Sequence, residues 1–436
     1  MQIRKLRTLY AVLFLPCFIL SSCSNLHTSE TVDDNFEFIL NENDESVIKN
    51  EFIIHFKEEQ FKPSILLADL TNVNNRDEKF HILESHNILI KNKVIEWLSR
   101  NNINESEILH IYTTAIVGVA LKVEFEKLKF LLENNKFKSV FSNRIIKVPD
   151  SKIEKVSKNF GLRSQIVPCG IQNTGGPGKN TIFNKLAWII DTGIAKDHPD
   201  LNVNLTYSAH FNNTGSSDDC DGHGTMIAGI IGAKDNDFGV VGISPGAQVV
   251  SVRIFDCNGG ASVIEAYKAL EHVISYSLSG DVLNCSWGRL FMGAGNCENN
   301  TLFLPFYQRL SSKGVMVSLA AGNHNNYANQ YEPACINLNN VFTVTNMTCD
   351  KKFSHSTLAN FGIPPIDYIA TGTDVISTHL NGGYGIGSGT SYAAPHVAGI
   401  MHLSGTTPIT LGYVSNNGNV ASIVVPIQQY PIAGHH

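Results

Sequence analysis

Basic residues never gather into a long run in this chain, and 33 Lys plus Arg stand against 39 Asp plus Glu, a formal charge of −6. That balance excludes the electrostatic footprint of a nucleic-acid binder. The N-terminal apolar run from Leu9 to Leu20 is too short to span a bilayer comfortably, since a crossing helix needs about 20 residues. Histidines are scattered without zinc-ligand spacing, which leaves a zinc centre without support. The stretch 173–180, Asn-Thr-Gly-Gly-Pro-Gly-Lys-Asn, contains Gly-Lys but lacks the first Gly and the final Ser/Thr of a phosphate loop, so it reads as a turn. Only 17% of the 436 residues are charged while 43% are hydrophobic, enough for a full core and for two folded units with short extensions.

What the chain does contain is concentrated in a few segments. Residues 389–399, Gly-Thr-Ser-Tyr-Ala-Ala-Pro-His-Val-Ala-Gly, place Ser391 behind small turn residues and ahead of an apolar, Ala-rich helix. A hydroxyl there gains from the helix dipole and from free N–H groups that can hold an anionic oxygen, although an ordinary N-cap serine looks the same in isolation. Its spacing is not Gly-x-Ser-x-Gly, which removes the nucleophile elbow of the α/β-hydrolases. Residues 186–190, Leu-Ala-Trp-Ile-Ile, read as a buried parallel strand ending on Asp191. Active sites of open α/β sheets lie at such strand ends. Residues 221–225, Asp-Gly-His-Gly-Thr, set His223 at the start of another small, apolar helix. Alone, Asp191 could be a turn residue and His223 a satisfied cap histidine. Together with Ser391 they supply an orienter, a base and a nucleophile in the chain order Asp, His, Ser.

With these three blocks on the page, residues 165–405 resemble the subtilisin-like serine proteases, and within them the proteinase K-type branch. The resemblance implies a serine endopeptidase in which Ser391 attacks the scissile carbonyl, His223 carries the proton and Asp191 orients the imidazole. Residues 314–323 read as a strand leaving into a loop, and Asn323 matches the family's oxyanion-hole asparagine. Ser286, Trp287 and Gly288 resemble the strand that pairs with an extended substrate, with Ala320, Ala321 and Gly322 as the opposite pocket wall. Small residues there leave room for large apolar side chains, while Trp287 either narrows that space or is a core tryptophan. Met226, Tyr392 and Cys169 depart from the family pattern and bear on pocket shape more than on activity. No cofactor is required on this reading. Asp367 stands where relatives place a calcium carboxylate, which makes a structural calcium one reading and a solvated Asp the other. A catalytically silent subtilase fold serving as an envelope binding module is the alternative; the intact set of Asp191, His223, Asn323 and Ser391 favours the enzyme.

The expected fold is α/β, a parallel sheet with helices on both faces, preceded by a small α+β unit. Residues 1–22 read as a signal peptide, because Arg4, Lys5 and Arg7 precede the apolar run. Its end, Leu-Ser-Ser-Cys at 20–23, resembles a bacterial lipobox with Cys23 as the lipidated residue. Residues 23–50 then form a tether, 51–150 an α+β pattern resembling the family's inhibitory propeptide, 151–165 a processing linker and 166–436 the catalytic domain. The expected partners are protein or peptide substrates, the chain's own propeptide, and a membrane through the lipid until processing; the expected location is exported, at a bacterial envelope or secreted. Nine cysteines suit that setting. Some proteinase K-type enzymes bridge the places of Cys220 and Cys257, which implies that pair here. Cys297, Cys335 and Cys349 leave Cys297–Cys335 and Cys335–Cys349 both open, and Cys285, in an apolar strand, reads as a buried free thiol.

Overall fold

The computed structural model describes residues 37–39, 45–57, 59–61, 73, 75–135, 137–148, 152–156, 164–179, 184–291, 297–417, 419–420, 423–424 and 426–436. The expected signal peptide and the lipobox residue Cys23 lie outside them.

The N-terminal part builds a small sheet from β1 (Glu37–Ile39), β2 (Val47–His55), β3 (Ile108–Tyr112), β4 (Gly118–Lys122) and β5 (Ser139–Lys147), with helices α1 (Arg76–Arg100) and α2 (Phe125–Asn134) in the connections. The sheet order β1-β5-β2-β4-β3 gives the βαββαβ pattern of ferredoxin-like units. Two boundaries differ from the sequence reading. Residues 37–39 and 47–50, assigned to a tether, are strands, because β1 pairs in parallel with the start of β5 and β2 begins before the apolar run Phe52–Ile54. Helix α1 starts fifteen residues before Lys91, behind Asn75, whose side chain accepts the N–H groups of Asp77 and Glu78.

Past β6 (Lys152–Val156), which falls in the stretch read as linker, the chain builds its main sheet. Its strands are β7 (Leu186–Asp191), β8 (Gln248–Arg253), β10 (Val282–Cys285), β11 (Met316–Ala320), β12 (Val341–Met347), β13 (Ile366–Thr371), β16 (Ile409–Ser415) and β17 (Gln429–Gly434), with β9 (Gly260–Ser262), β14 (Val375–His379) and β15 (Gly383–Ser388) off to its sides. The order β16-β17-β13-β12-β11-β10-β7-β8 is parallel throughout except for the last hairpin, β16 with β17. Helices α3 (His223–Gly232) and α6 (Thr390–Ser404) pack on one face, and α4 (Val263–Tyr276) and α5 (Leu304–Ser312) on the other. This is the α/β architecture expected. Strand β7 shows why the sequence folds so: Leu186, Trp188 and Ile190 enter one core and Ala187 and Ile189 the other, so a continuous apolar run serves two faces. Helix α3 is buried along its whole length, as an all-round apolar helix must be.

The small unit shares a core with the large one. Ile53, Tyr112, Phe141 and Ile146 pack in the same cluster as Tyr267, Phe303 and Phe306. Two carboxylates of the main domain anchor it. Glu271 on α4 accepts the N–H of Thr113 and of Thr114 at 2.8 Å and the Thr114 hydroxyl at 2.6 Å. Asp281, fully buried before β10, takes both ends of the Arg76 guanidinium at 2.5 and 2.7 Å. It also accepts the N–H groups of Leu186 and Leu278 and the Trp188 indole. Arg76→Ala would leave this carboxylate buried without its cation, a loss of about 3 kcal/mol at the lower end for broken buried pairs. Urea unfolding of the full-length chain is expected to show that drop, and an unchanged midpoint would mean that the pair adds nothing.

Candidate active site

Asp191 is the last residue of β7, at the carboxyl edge of the parallel sheet. His223 opens α3 after Gly222, whose φ of 110° lets the loop turn into the helix. The two meet because backbone approaches backbone: a Cβ on Gly224 would lie 2.1 Å from the Gly193 carbonyl oxygen. His223 Nδ1 is 2.7 Å from Asp191 Oδ1, and both side chains are fully buried. The Nε2 of His223 has no hydrogen-bond partner among the described residues. Burial pulls this imidazole's pKa down, but the charge and hydrogen bond of Asp191, with Asp221 and Asp219 behind it, outweigh burial and hold it above the ordinary 6.5.

Asp219 is a positioning residue that the sequence reading missed. One of its oxygens accepts the Thr192 hydroxyl and the N–H groups of Asp221 and Gly222; the other accepts the N–H and hydroxyl of Thr225. It thereby ties the turn after β7 to the start of α3. The available signal was its place before Asp221-Gly222, since an Asp at a turn start bonds backbone two residues on. The expected bridge Cys220–Cys257 is present and closes the same loop onto the chain leaving β8, with Arg253 donating to the Asp218 carbonyl beside it.

Ser391 sits in the first turn of α6, after Gly389 with φ 147°. Asn323, in the loop after β11, accepts the Thr390 N–H at 2.9 Å and the Thr390 hydroxyl at 3.0 Å through Oδ1. That fixes its amide so that Nδ2 lies 2.7 Å from where a Gly389 Cβ would stand; this nitrogen is buried and has no partner among the described residues. Ser286 joins the cluster by donating to the Ser391 carbonyl at 2.8 Å, while the Ser391 hydroxyl lies 3.4 Å from the Ser286 carbonyl oxygen. Gly288 donates its N–H to the Lys147 carbonyl at 3.3 Å, and Val148 donates to the Gly259 carbonyl at 3.1 Å. The end of the small unit thus lies between two segments of the main domain as an extended peptide would, and β5 also pairs antiparallel with β9.

Other predicted residues fall elsewhere or in different company. The Trp287 ring is fully buried against Phe303 and Phe255, so of its two readings the core one describes its place. Ala320, Ala321 and Gly322 are buried at the end of β11, but Tyr331 was not foreseen. Its ring lies 2.9 Å from a Cβ placed on Gly322 and 2.6 Å from one on Gly288, between the two expected pocket walls. Asp367 is on β13, accepts the Thr343 N–H, and is pushed up to about 6 by burial. Among the described residues no group of three or more His, Cys, Asp or Glu gathers around a common point. Two further bridges are present: Cys297–Cys335, one of the two pairings left open, and Cys169–Cys349, with Cα atoms 5.9 Å apart. The alternative Cys335–Cys349 is excluded by these, and Cys169, read as a change of pocket shape, is a bridge partner 180 residues from its mate. Cys285 is a buried free thiol, and burial pushes its pKa up to about 12.

Fold and site together define an α/β protein with an Asp191–His223 pair at the carboxyl edge of a parallel sheet, and with the His223 ring 5.5 Å from that of Tyr392, the residue after Ser391. Residues 188–404 match the model of the subtilase family, Peptidase_S8. The chain is 32% identical over 259 residues to the thermostable alkaline protease of Halalkalibacterium halodurans, covering 58% of this chain and 67% of that protein. It is 33% identical over 231 residues to the minor extracellular protease Epr of Bacillus subtilis, covering 52% of this chain and 32% of that one. A crystal structure of a cold adapted subtilisin-like serine proteinase overlaps 50% of this chain and 74% of its own at 30% identity, with a TM-score of 0.42. This chain belongs to the subtilase family. Its matches span from about a third to two thirds of the two sequence relatives' lengths.

Proposed function

We propose that the protein is a serine endopeptidase that hydrolyses peptide bonds of proteins and is made as a self-inhibited precursor. The observation that carries this reading is the pair His223–Asp191 at 2.7 Å, with Thr390, the neighbour of Ser391, holding the Asn323 amide by its oxygen; His223 Nε2 and Asn323 Nδ2 have no partner among the described residues. In the proposed mechanism Ser391 Oγ forms a bond to the substrate carbonyl carbon and His223 Nε2 takes its proton. The carbonyl oxygen becomes an oxyanion held by Asn323 Nδ2 and the Ser391 N–H. His223 then gives its proton to the leaving amine as the C–N bond breaks, and water, activated by the same imidazole, hydrolyses the acyl-enzyme. Asp191 keeps the tautomer that leaves Nε2 free and stabilises the imidazolium.

Labelling by a fluorophosphonate tests the reading; a folded, processed protein that never labels would instead favour the silent binding module. Asn323→Leu removes one oxyanion donor and is expected to lower kcat by about 100- to 1000-fold with KM little changed. Steady-state kinetics on a peptide substrate check it, and a loss confined to KM would mean that Asn323 only binds substrate.

The precursor reading draws on the docked small unit, with Lys147 and Val148 paired to Gly288 and Gly259. Cleavage after this strand would release the small unit. Export, the signal peptide and the lipid at Cys23 are part of the same proposal, supported by the leader's charge pattern and by an extracellular relative. Among the described residues no helix is long and apolar enough to cross a membrane. A structural calcium at Asp367 remains a proposal resting on family resemblance.

A further inference from the structure

The bridge Cys220–Cys257 carries a cation on its sulfurs. Arg253, buried at the end of β8, places Nη2 2.8 Å from Cys220 Sγ and 3.7 Å from Cys257 Sγ. The guanidinium is not free to turn away, because Nε donates to the Phe255 carbonyl and Nη1 to the carbonyls of Ser216 and Asp218. The two ends of the bridge differ in access: Cys257 is exposed and Cys220 half-buried. Thiol exchange needs an open sulfur to attack and a stabilised sulfur to leave, and a cation beside a thiolate stabilises it. This bridge has the first at Cys257 and the second at Cys220. The other two bridges give a comparison, since Cys297 and Cys335 are both buried, whereas Cys349 is exposed and Cys169 half-buried.

The Cys220 end adjoins the base. Asp219, the residue before it, holds the turn after β7 to the first turn of α3 through Thr192 and Thr225, and His223 follows three residues after Cys220. We propose that Cys220–Cys257 is a thiol-exchange site for an uncharged dithiol and that its opening switches the peptidase off. A thiolate of the dithiol forms a bond to Cys257 Sγ as the S–S bond breaks, and the electron pair goes to Cys220 Sγ, a thiolate held by Arg253. The second thiolate of the reagent then attacks the reagent's own sulfur in the mixed disulfide. The reagent departs as a cyclic disulfide, oxidised by two electrons, and Cys257 departs as a thiolate that takes a proton from water. The charges of Asp219, Asp218 and Asp256 all act on Arg253, so the local field opposes an anionic thiol such as glutathione. The loss of activity rests on the serine endopeptidase reading; the exchange itself does not.

The test exposes the folded, processed protein to dithiothreitol, alkylates free thiols with iodoacetamide over time and reads each cysteine by mass spectrometry, with peptidase activity measured alongside. Cys220 and Cys257 are expected to alkylate about tenfold sooner than Cys169 and Cys349, and Cys297 and Cys335 last. The rate kcat is expected to fall in step by about a hundredfold, the cost of misplacing a catalytic group by about 1 Å. Glutathione at the same thiol concentration is expected to open the bridge more slowly. Arg253→Met is expected to slow the opening and Arg253→Lys, which keeps the charge, to restore it. In Cys257→Ser, where Arg253 is untouched, Cys220 is expected to titrate below the ordinary thiol value of about 8.5, followed by thiolate absorbance. All three bridges opening together, Arg253→Met and Arg253→Lys opening alike, Cys220 titrating at or above that value, or opening without loss of activity would each overturn the proposal. Protein that neither cleaves peptides nor takes up fluorophosphonate before any thiol is added overturns the peptidase reading, and the order of alkylation still decides the exchange site.

Discussion

Ser391→Ala is expected to remain a single full-length chain and to lose about a million-fold in kcat, the loss known for removing the corresponding serine of subtilisin. The physical reason is that, on the proposed mechanism, the other groups act through this hydroxyl. Without it the imidazole of His223 has no proton to take, and the amide of Asn323 has no oxyanion to hold. What survives is binding and the polar surroundings alone. The wild-type chain is expected to yield a shorter product beginning after the β5 strand, visible on a denaturing gel and by N-terminal sequencing. On the lipid-anchor proposal the variant partitions with membranes while the wild-type product is soluble. Conversion of the wild type and of the Ser391→Ala variant to the same product, at the same rate, would remove Ser391 from the processing step.

Asp191→Asn is expected to lower kcat/KM about ten-thousand-fold while leaving the fold intact. The carboxylate accepts the Nδ1 proton of His223 at 2.7 Å, and an amide in its place favours the wrong tautomer. The variant also makes a claim about pH. On the proposed mechanism His223 works as a base when neutral, so the rate falls as pH drops through its pKa. In the wild type burial lowers that pKa, but the charge and hydrogen bond of Asp191 together with the charges of Asp221 and Asp219 hold it above the ordinary 6.5. Removing Asp191 leaves the lowering in place and takes away the largest raising influence. The acid limb of the pH profile is therefore expected to move to lower pH in the residual activity, and a limb that stays put would mean that Asp191 does not set the base.

Much of this site was legible in the sequence because each catalytic-type residue sits at a boundary with its own local signature. Asp191 closes an apolar strand, His223 and Ser391 open apolar helices, and small residues follow Asp191, surround His223 and precede Ser391. The parallel sheet was legible for a related reason: strands covered on both faces read as unbroken apolar runs. What stayed hidden depends on contacts between distant stretches. Asp219 looks like any loop aspartate until its two oxygens are seen to bridge β7 and α3. The Tyr331 ring comes between Gly288 and Gly322 only once three separate loops meet. The pairing Cys169–Cys349 could not be read from spacing, since loop length says little about which sulfurs come together. Residues 152–156 carry no apolar alternation strong enough to announce a strand; the neighbouring edge of β15 makes them one.

The shared cluster of Ile53, Phe141 and Ile146 with Tyr267 and Phe306 has a kinetic consequence for the molecule's life history. On the precursor proposal the chain matures around a piece that it later discards, so the same apolar grip would govern two opposed rates. A stronger grip helps a newly made chain find its shape and delays the moment at which it is set free to work, whereas a weaker one hastens release from chains that mature less efficiently.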